Sequence, residues 1–310
     1  MRSSGRYLVT GGLGQVGSYI TESLLASGAE VIILDDMSSN GRDSIPGAKL
    51  VKGDIRDKAL VKELVKDVDA IVHCAAQIFV ARSVEDPSFD ADNNIFGTLN
   101  LLNAVRDANI KRFVYFSSAA VYGDPVRLPV DEDHPQNPMS PYGVSKLSGE
   151  KYALAFQKIY GIPTTAIRPF NIYSPRQDPS NPYSGVISKF IDRVSAGQPP
   201  VIFGDGTATR DFVSVHDVVD MVRLMLEKEA AVGKVFNCGT GQSTTVGHLA
   251  QTIIDLYDNK KLKPELRAER PGDIKYSYAD ISRAKELLGY NPKVVLEEGL
   301  KEIVECKSKM

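Results

Sequence analysis

Tryptophan is absent from this 310-residue chain, and cysteine and histidine are scarce, at three and four residues. Cys74, Cys238 and Cys306 are scattered, odd in number and without a CxxC pair, which speaks against a disulfide framework or a zinc ribbon and for buried or inert thiols. His73, His134, His216 and His248 are equally dispersed, so no metal constellation is expected. No apolar run approaches the roughly 18–20 residues that span a bilayer. The opening "MRSSGRYLVTGG" passes from polar residues into an apolar run too short for a signal peptide. A cytoplasmic location is the resulting expectation. Neither sign of charge dominates: 37 Lys plus Arg stand against 39 Asp plus Glu, for a net charge of −2. With no long run of either sign, neither nucleic acid nor a membrane surface is an expected partner.

What is present is a globular composition, with 43% hydrophobic and 25% charged residues. The length suits two ordinary domains or one large one. "RYLVT", "EVIILD", "LVKGD", "DAIVHCAA", "RFVYFSS" and "TTAIRP" are short, β-branched and apolar. Stretches with helical spacing lie between most of them, such as Ile20, Leu24 and Leu25, or Leu60, Leu64 and Val65. This alternation predicts an α/β fold, a doubly wound parallel Rossmann-type sheet covered on both faces, over residues 1–170. A smaller, mixed and discontinuous substrate domain is expected over 171–310, with "KVFNCG" opening a return segment to the sheet near 234–260. "SPRQDPSNPYSG" and "SAGQPPVIFGDG" read as long ordered loops around a pocket. Apolar helical patterns resume at 215–227, 246–257 and 281–288.

"VTGGLGQVG" follows the first strand and opens the first helix. Without side chains, Gly11, Gly14 and Gly17 let the backbone turn tightly, approach a pyrophosphate and pack helix on strand. The helix N-terminus adds free N–H groups and partial positive charge. Eighteen residues after Gly17, Asp35 ends the second strand. Its carboxylate there would accept from ribose hydroxyls and repel a 2′-phosphate, so NAD is expected rather than NADP, an inference that nearby Arg42 weakens. Asp54 and Ile55, after the third strand, suit the adenine; Ala75 and Ala76, after the fourth, let the chain pass close to the cofactor. The expected cofactor contacts extend to Gln15, Val16, Asp36, Ser39, Asn40, Gln77, Asn94 and Phe170.

The fifth strand ends in "YFSSAAVYGD", which sets Ser118 at the carboxyl end of the sheet, where ligands of such sheets bind. In "SPYGVSK" the Tyr142 phenol stands four residues before the Lys146 ammonium, on one helix face. By itself that spacing fits a solvated pair better; with Ser118 and the glycine loop in the same crevice it fits chemistry. Lowering a phenol from about 10 to about 7 takes roughly 4 kcal/mol of differential stabilisation, which Lys146 and a nicotinamide cation are expected to supply. The phenolate would then act as general base on a substrate hydroxyl that Ser118 hydrogen-bonds.

Through "TGGLGQVGS", "DNNIFGTLNLL", "SSAAVYGD", "SPYGVSK", "RPFNIYSPRQDP", "FGDGTATRDFVSVHDV" and "RPGD", the chain resembles the extended short-chain dehydrogenase/reductases, and among them the nucleotide-sugar 4-epimerases acting on UDP-glucose or UDP-N-acetylglucosamine. The resemblance covers nearly the whole chain. It implies a Ser118/Tyr142/Lys146 catalytic group, tightly held NAD, and a homodimer through helices near 98–108 and 141–160. It also implies a UDP-sugar substrate held by Asn171, Gly185, Val186, Val201, Phe203, Arg210, Arg270, Asp273 and Ser277. Guanidinium forks suit a diphosphate, although Arg210 beside Asp211 and Arg270 near Asp273 also read as surface ion pairs.

Related dehydratases and decarboxylases carry an acid after the Ser or Thr of the fifth strand, where this chain has Ala119 and Ala120. Eliminating water needs an acid and a base that two alanines do not offer. Oxidation at C4, rotation of the keto sugar and hydride return are therefore expected. In similar epimerases the position of Ser277 borders the sugar and a small residue there leaves room for an N-acetyl group, so the resemblance implies UDP-GlcNAc and UDP-GalNAc as substrates beside UDP-Glc and UDP-Gal. A dehydratase, an NADP-linked reductase and a non-catalytic dinucleotide-binding protein remain the rivals.

Overall fold

The β-branched runs of the first half become strands of one sheet in the computed structural model, which describes residues 5–39, 42–177, 185–259, 261–270 and 272–308. They are β1 (Arg6–Thr10), β2 (Glu30–Asp35), β3 (Lys49–Lys52), β4 (Ala70–His73), β5 (Arg112–Phe116) and β6 (Thr164–Pro169). Short strands follow: β7 (Asn171–Tyr173), β8 (Val201–Phe203), β9 (Thr209–Arg210), β10 (Phe212–Ser214), β11 (Val235–Cys238), β12 (Thr244–Thr245) and β13 (Glu265–Arg267). The first six helices are α1 (Gly17–Ala26), α2 (Lys58–Leu64), α3 (Val80–Glu85), α4 (Pro87–Ala91), α5 (Gly97–Val105) and α6 (Pro141–Tyr160). Then come α7 (Val186–Ser195), α8 (Val215–Glu227), α9 (Val246–Leu256), α10 (Ser282–Leu288) and α11 (Leu296–Lys307).

The main sheet has seven parallel strands in the order β11-β6-β5-β4-β1-β2-β3. Period-two alternation sends neighbouring residues to opposite faces. Val9, Ile33, Val72 and Val114 enter one core, while Leu8, Ile32, Ile71 and Phe113 enter the other. With both faces buried, the strands read as continuous apolar runs. Strand order reverses between β1 and β4, and ligands of doubly wound sheets bind at such a switch point.

The second half supplies cover as well as its own core. α8 lies against α1 and β5, and β11 extends the sheet beside β6. α9, also within the 234–260 segment, instead packs with α7: Leu249 and Ile253 meet Ile187, Phe190 and Leu300 in a third cluster. The stretch "SAGQPPVIFGDG", read as a loop, contains β8, which pairs with β13. Its Pro and Gly residues mask a strand of three residues. Among the described residues, no helix is long and apolar enough to cross a membrane.

Candidate cofactor and active site

Gly11 adopts φ +65°, and a Cβ there would sit 2.8 Å from the Ala75 nitrogen, so the glycine loop and the loop after β4 touch backbone to backbone. A Cβ on Gly17 would overlap the Gly11 carbonyl oxygen. These contacts seat the N-terminus of α1 over the ends of β1 and β4. Asp35 is buried at the end of β2, and its carboxylate accepts from the Leu13 N–H at 2.9 Å and the Met37 N–H at 2.9 Å. Two backbone donors leave other lone pairs free for a ribose. In the glycine loop the Gln15 side-chain nitrogen is buried with no hydrogen-bond partner among the described residues. A cradle closed to any Cβ, an unpartnered buried amide and a fixed acid at the strand end fit a dinucleotide.

Arg42, the sequence's one argument for NADP, is engaged elsewhere: its guanidinium donates to Glu22 at 2.9 Å. Asp36 forms a local turn by accepting from the Ser38 N–H and hydroxyl, and Ser39 is exposed. Asn40 lies outside the described residues. Asp54 is gripped by Arg56, at 2.6 Å from Nη2, which holds its carboxyl below the usual range. Ile55 is buried against Gly97. Val16 packs against the core, and Phe170 is buried near Tyr122.

The chemistry-bearing side chains sit on the turn after β5 and on α6. Ser140 caps α6 by accepting from the Gly143 N–H at 3.2 Å, and Pro141 occupies its first turn. Gly149 lets the helix lie on Tyr115, whose hydroxyl a Cβ would overlap. This docking aims the first turn of α6 at the turn after β5, where the Ser118 hydroxyl acts on the Tyr142 phenol and favours its ionised form. Lys146 is buried, its ammonium 4.7 Å from the centre of the Tyr115 ring, and among the described residues it forms no ion pair. Burial lowers it to about 8, opposed by nearby Cys74, Asp90 and Glu150.

The phenol departs from the sequence expectation. Burial pushes Tyr142 above its ordinary value, the Ser118 hydrogen bond offsets this only in part, and Asp90 adds to the rise. Lys146 alone therefore does not make the phenol acidic. A dry pocket disfavours the phenolate as strongly as it strengthens the attraction of a cation, so the acidifying charge has to come with the ligands.

Gln77 and Asn94 do not face open space. Asn94 Oδ1 accepts from the Gln77 N–H at 2.8 Å, and its Nδ2 lies 2.9 Å from the Gln77 carbonyl and 3.0 Å from Ser145 Oγ. Asn94 stands in a π-helical turn, Asp92–Phe96, and acts as a brace between the loop after β4 and α6. Sequence reasoning missed Asp90, Ser145 and the buried chain Thr10–His73–Thr98 that joins β1, β4 and α5 at 2.7 and 3.0 Å. The signal for Asp90 was present: it lies four residues before Asn94, on one helix face.

The expected substrate residues come from several elements. Asn171 opens β7 with an exposed side chain, Gly185 precedes α7, Val186 begins it, and Val201 begins β8. Arg210 is not paired with Asp211: that carboxylate is buried and accepts from Thr240, Gly241 and Ala279. Arg210 donates to the Thr209 carbonyl at 2.7 Å, and burial lowers its pKa. Arg270 stacks on Phe203, 3.6 Å from the ring centre, rather than pairing with Asp273. Ser277 is half-buried, its N–H donating to the Thr209 carbonyl at 3.2 Å. The two arginines, Asp273 and Ser277 thus gather around β8 and β9.

A family model described as GDP-mannose 4,6 dehydratase matches residues 8–303. The chain belongs to this family of extended short-chain dehydrogenase/reductases. It is 41% identical over 308 residues to the UDP-glucose 4-epimerase of Mycolicibacterium smegmatis, covering 97% of each. Among solved structures, the UDP-N-acetylglucosamine 4-epimerase of Methanobrevibacter ruminantium, in complex with UDP-N-acetylmuramic acid, matches with a TM-score of 0.93 at 36% identity over 99% of both chains. The UDP-glucose 4-epimerase of Thermus thermophilus, in complex with NAD, matches with a TM-score of 0.87 at 34% identity, covering 97% of this chain and 98% of that one. The Rossmann-type fold and the family read from the motifs both hold.

Proposed function

We propose that the chain is an NAD-dependent UDP-hexose 4-epimerase that turns over UDP-GlcNAc and UDP-GalNAc as well as UDP-Glc and UDP-Gal. The observation that carries this reading is the buried Tyr142 phenol, acted on by Ser118 and one turn from a buried ammonium that forms no ion pair among the described residues, together with a glycine cradle at the switch point of the sheet. The glycine loop, Asp35 and Lys146 would hold NAD, which when bound would supply an acceptor for the C4 hydride and its source for return to the opposite face. Tyr142 takes the proton of the C4 hydroxyl as the carbonyl forms and gives it back as the carbonyl is reduced, so the phenol ends unchanged. Ser118 donates a hydrogen bond to the same sugar oxygen and fixes its distance from the phenol. The Lys146 ammonium favours the phenolate once the site is filled. Arg210 and Arg270 neutralise the diphosphate.

The family model carries a dehydratase's description, which gives that chemistry a claim. The turn after Ser118 opposes it, since Ala119 and Ala120 place no acid or base beside the sugar. For the acetylated substrates the support is the small side chain of Ser277. Assay of all four UDP-sugars on one preparation tests the reading: interconversion within both pairs is expected, and Ser277→Tyr should reduce turnover of the acetylated pair selectively. Activity confined to the plain hexoses would reject the size argument. A homodimer through α5 and α6 is part of the proposal, supported by exposed apolar residues on α6, including Val144 and Ile159 at 49% and 69% exposure. Sedimentation at micromolar concentration should give twice the chain mass.

A further inference from the structure

The catalytic turn of α6 is tied to a carboxylate to which no motif assigns a part. Asp90, on α4, is 1% exposed. Its Oδ1 accepts from Gln77 Nε2 at 2.8 Å and Asn94 Nδ2 at 3.1 Å, while its Oδ2 is buried with no partner among the described residues. A carboxylate only accepts, so Asp90 dictates which way both amides face. With Asn94 Nδ2 turned inward, its Oδ1 takes the Gln77 N–H, and the same nitrogen reaches Ser145 Oγ at 3.0 Å. Ser145 in turn donates to the Tyr142 carbonyl at 3.0 Å. A run of hydrogen bonds thus joins Asp90 to the residue proposed as the base, and braces the loop carrying Ala75 and Ala76 against it.

We propose that Asp90 is a positioning residue for the reaction assigned above: it orients Gln77 and Asn94, anchors the first turn of α6 through Ser145, and places a buried negative charge behind Tyr142 and Lys146. The proposal rests on the epimerase reading for its kinetic part alone. A burial-only role would favour full satisfaction of both oxygens, because an unpaired buried acceptor is costly; here one is left bare. The groups facing the pair are His73 and Cys74 at the end of β4, Tyr115 on β5, and Glu150 one turn further along α6. Glu150 is matched by Arg168, at 2.8 Å from Nε, and His73 is held neutral by burial, so Asp90 is the facing acid that forms no ion pair among the described residues. It opposes loss of the phenol proton and favours the charged ammonium.

Two substitutions separate position from charge. Asp90→Ala removes the acceptor for both amides and should lower kcat about tenfold to a hundredfold with KM unchanged, the cost of a misplaced base. Asp90→Asn keeps one acceptor oxygen and removes the charge. It should restore most of kcat, keep the thermal midpoint, and move both limbs of the kcat pH profile to lower pH, since phenol and ammonium each lose their proton more readily. The tyrosinate absorbance, titrated against Tyr142→Phe blanks in both backgrounds, should show the phenol ionising at lower pH in Asp90→Asn. That titration needs no turnover, so a shift in a protein that fails to epimerise would uphold this proposal and sink the functional reading. An unmoved phenol in Asp90→Asn, or wild-type kcat in Asp90→Ala, would overturn it.

Discussion

The two sides of the crevice are built on different terms. On the proposed cofactor side, groups are held by backbone and by buried hydrogen bonds: Asp35 by two N–H groups, the glycine loop by the main chain of Ala75, and the inward-turned Asn94 by the main chain of Gln77. On the substrate side, short two-stranded pieces carry long side chains that engage one another, as Arg270 does on Phe203. The first arrangement is preorganised, so binding orders little. The second has to exchange internal contacts for ligand contacts. The difference suits the proposed epimerase, in which a retained cofactor would serve many turnovers while the sugar enters, turns and leaves.

Substitutions on the two sides should therefore fail differently. The largest effect is expected from Gly17→Val, whose added carbons have nowhere to go beside the Gly11 carbonyl. Overpacking of this kind costs about 1–3 kcal/mol or more, and urea unfolding should show that loss together with loss of NAD from the purified protein. If stability fell while NAD stayed bound, the cradle would not be the binding element. Arg270→Ala, on the other side, should raise KM for UDP-sugars about tenfold, near 1.4 kcal/mol, with the unfolding midpoint and cofactor content unchanged. A fall in kcat with KM constant would instead place Arg270 at the reacting centre.

A smaller effect separates the two sides by pH. His73 is buried and hydrogen-bonded to Thr10 and Thr98, and burial lowers it to about 3. Below its unfolded value of about 6.5 the unfolded chain binds a proton that the folded one refuses, so stability falls as pH drops through this window. The slope approaches about 1.4 kcal/mol per pH unit for one such group. Buried His134, also lowered, adds in the same direction. Urea melts between pH 6.5 and 5 should show the decline, and His73→Gln should flatten it without touching KM.

The same contrast decides what could be read from the residues alone. β1 to β6 and the glycine turn obey local rules, continuous β-branched apolar runs and closely spaced glycines, and each was legible. The Tyr142–Lys146 face was legible from helical spacing. The phenol's electrostatics were not, because desolvation depends on how deeply α6 docks onto Tyr115, which no local pattern records. Asn94 was expected against the cofactor, but its bonds run to Gln77 and Ser145, the latter 51 residues away. α7 and α11 went unread because their apolar faces make sense only against α9 and β10.

Hydride traffic at C4 offers the most direct test. UDP-GlcNAc carrying deuterium at C4, incubated with the protein in ordinary water, should equilibrate with UDP-GalNAc while the label stays on C4 in both epimers. Loss of deuterium to solvent, or its appearance at C6 with elimination of water, would contradict an epimerisation in which the C4 hydride is taken up and returned to the same carbon.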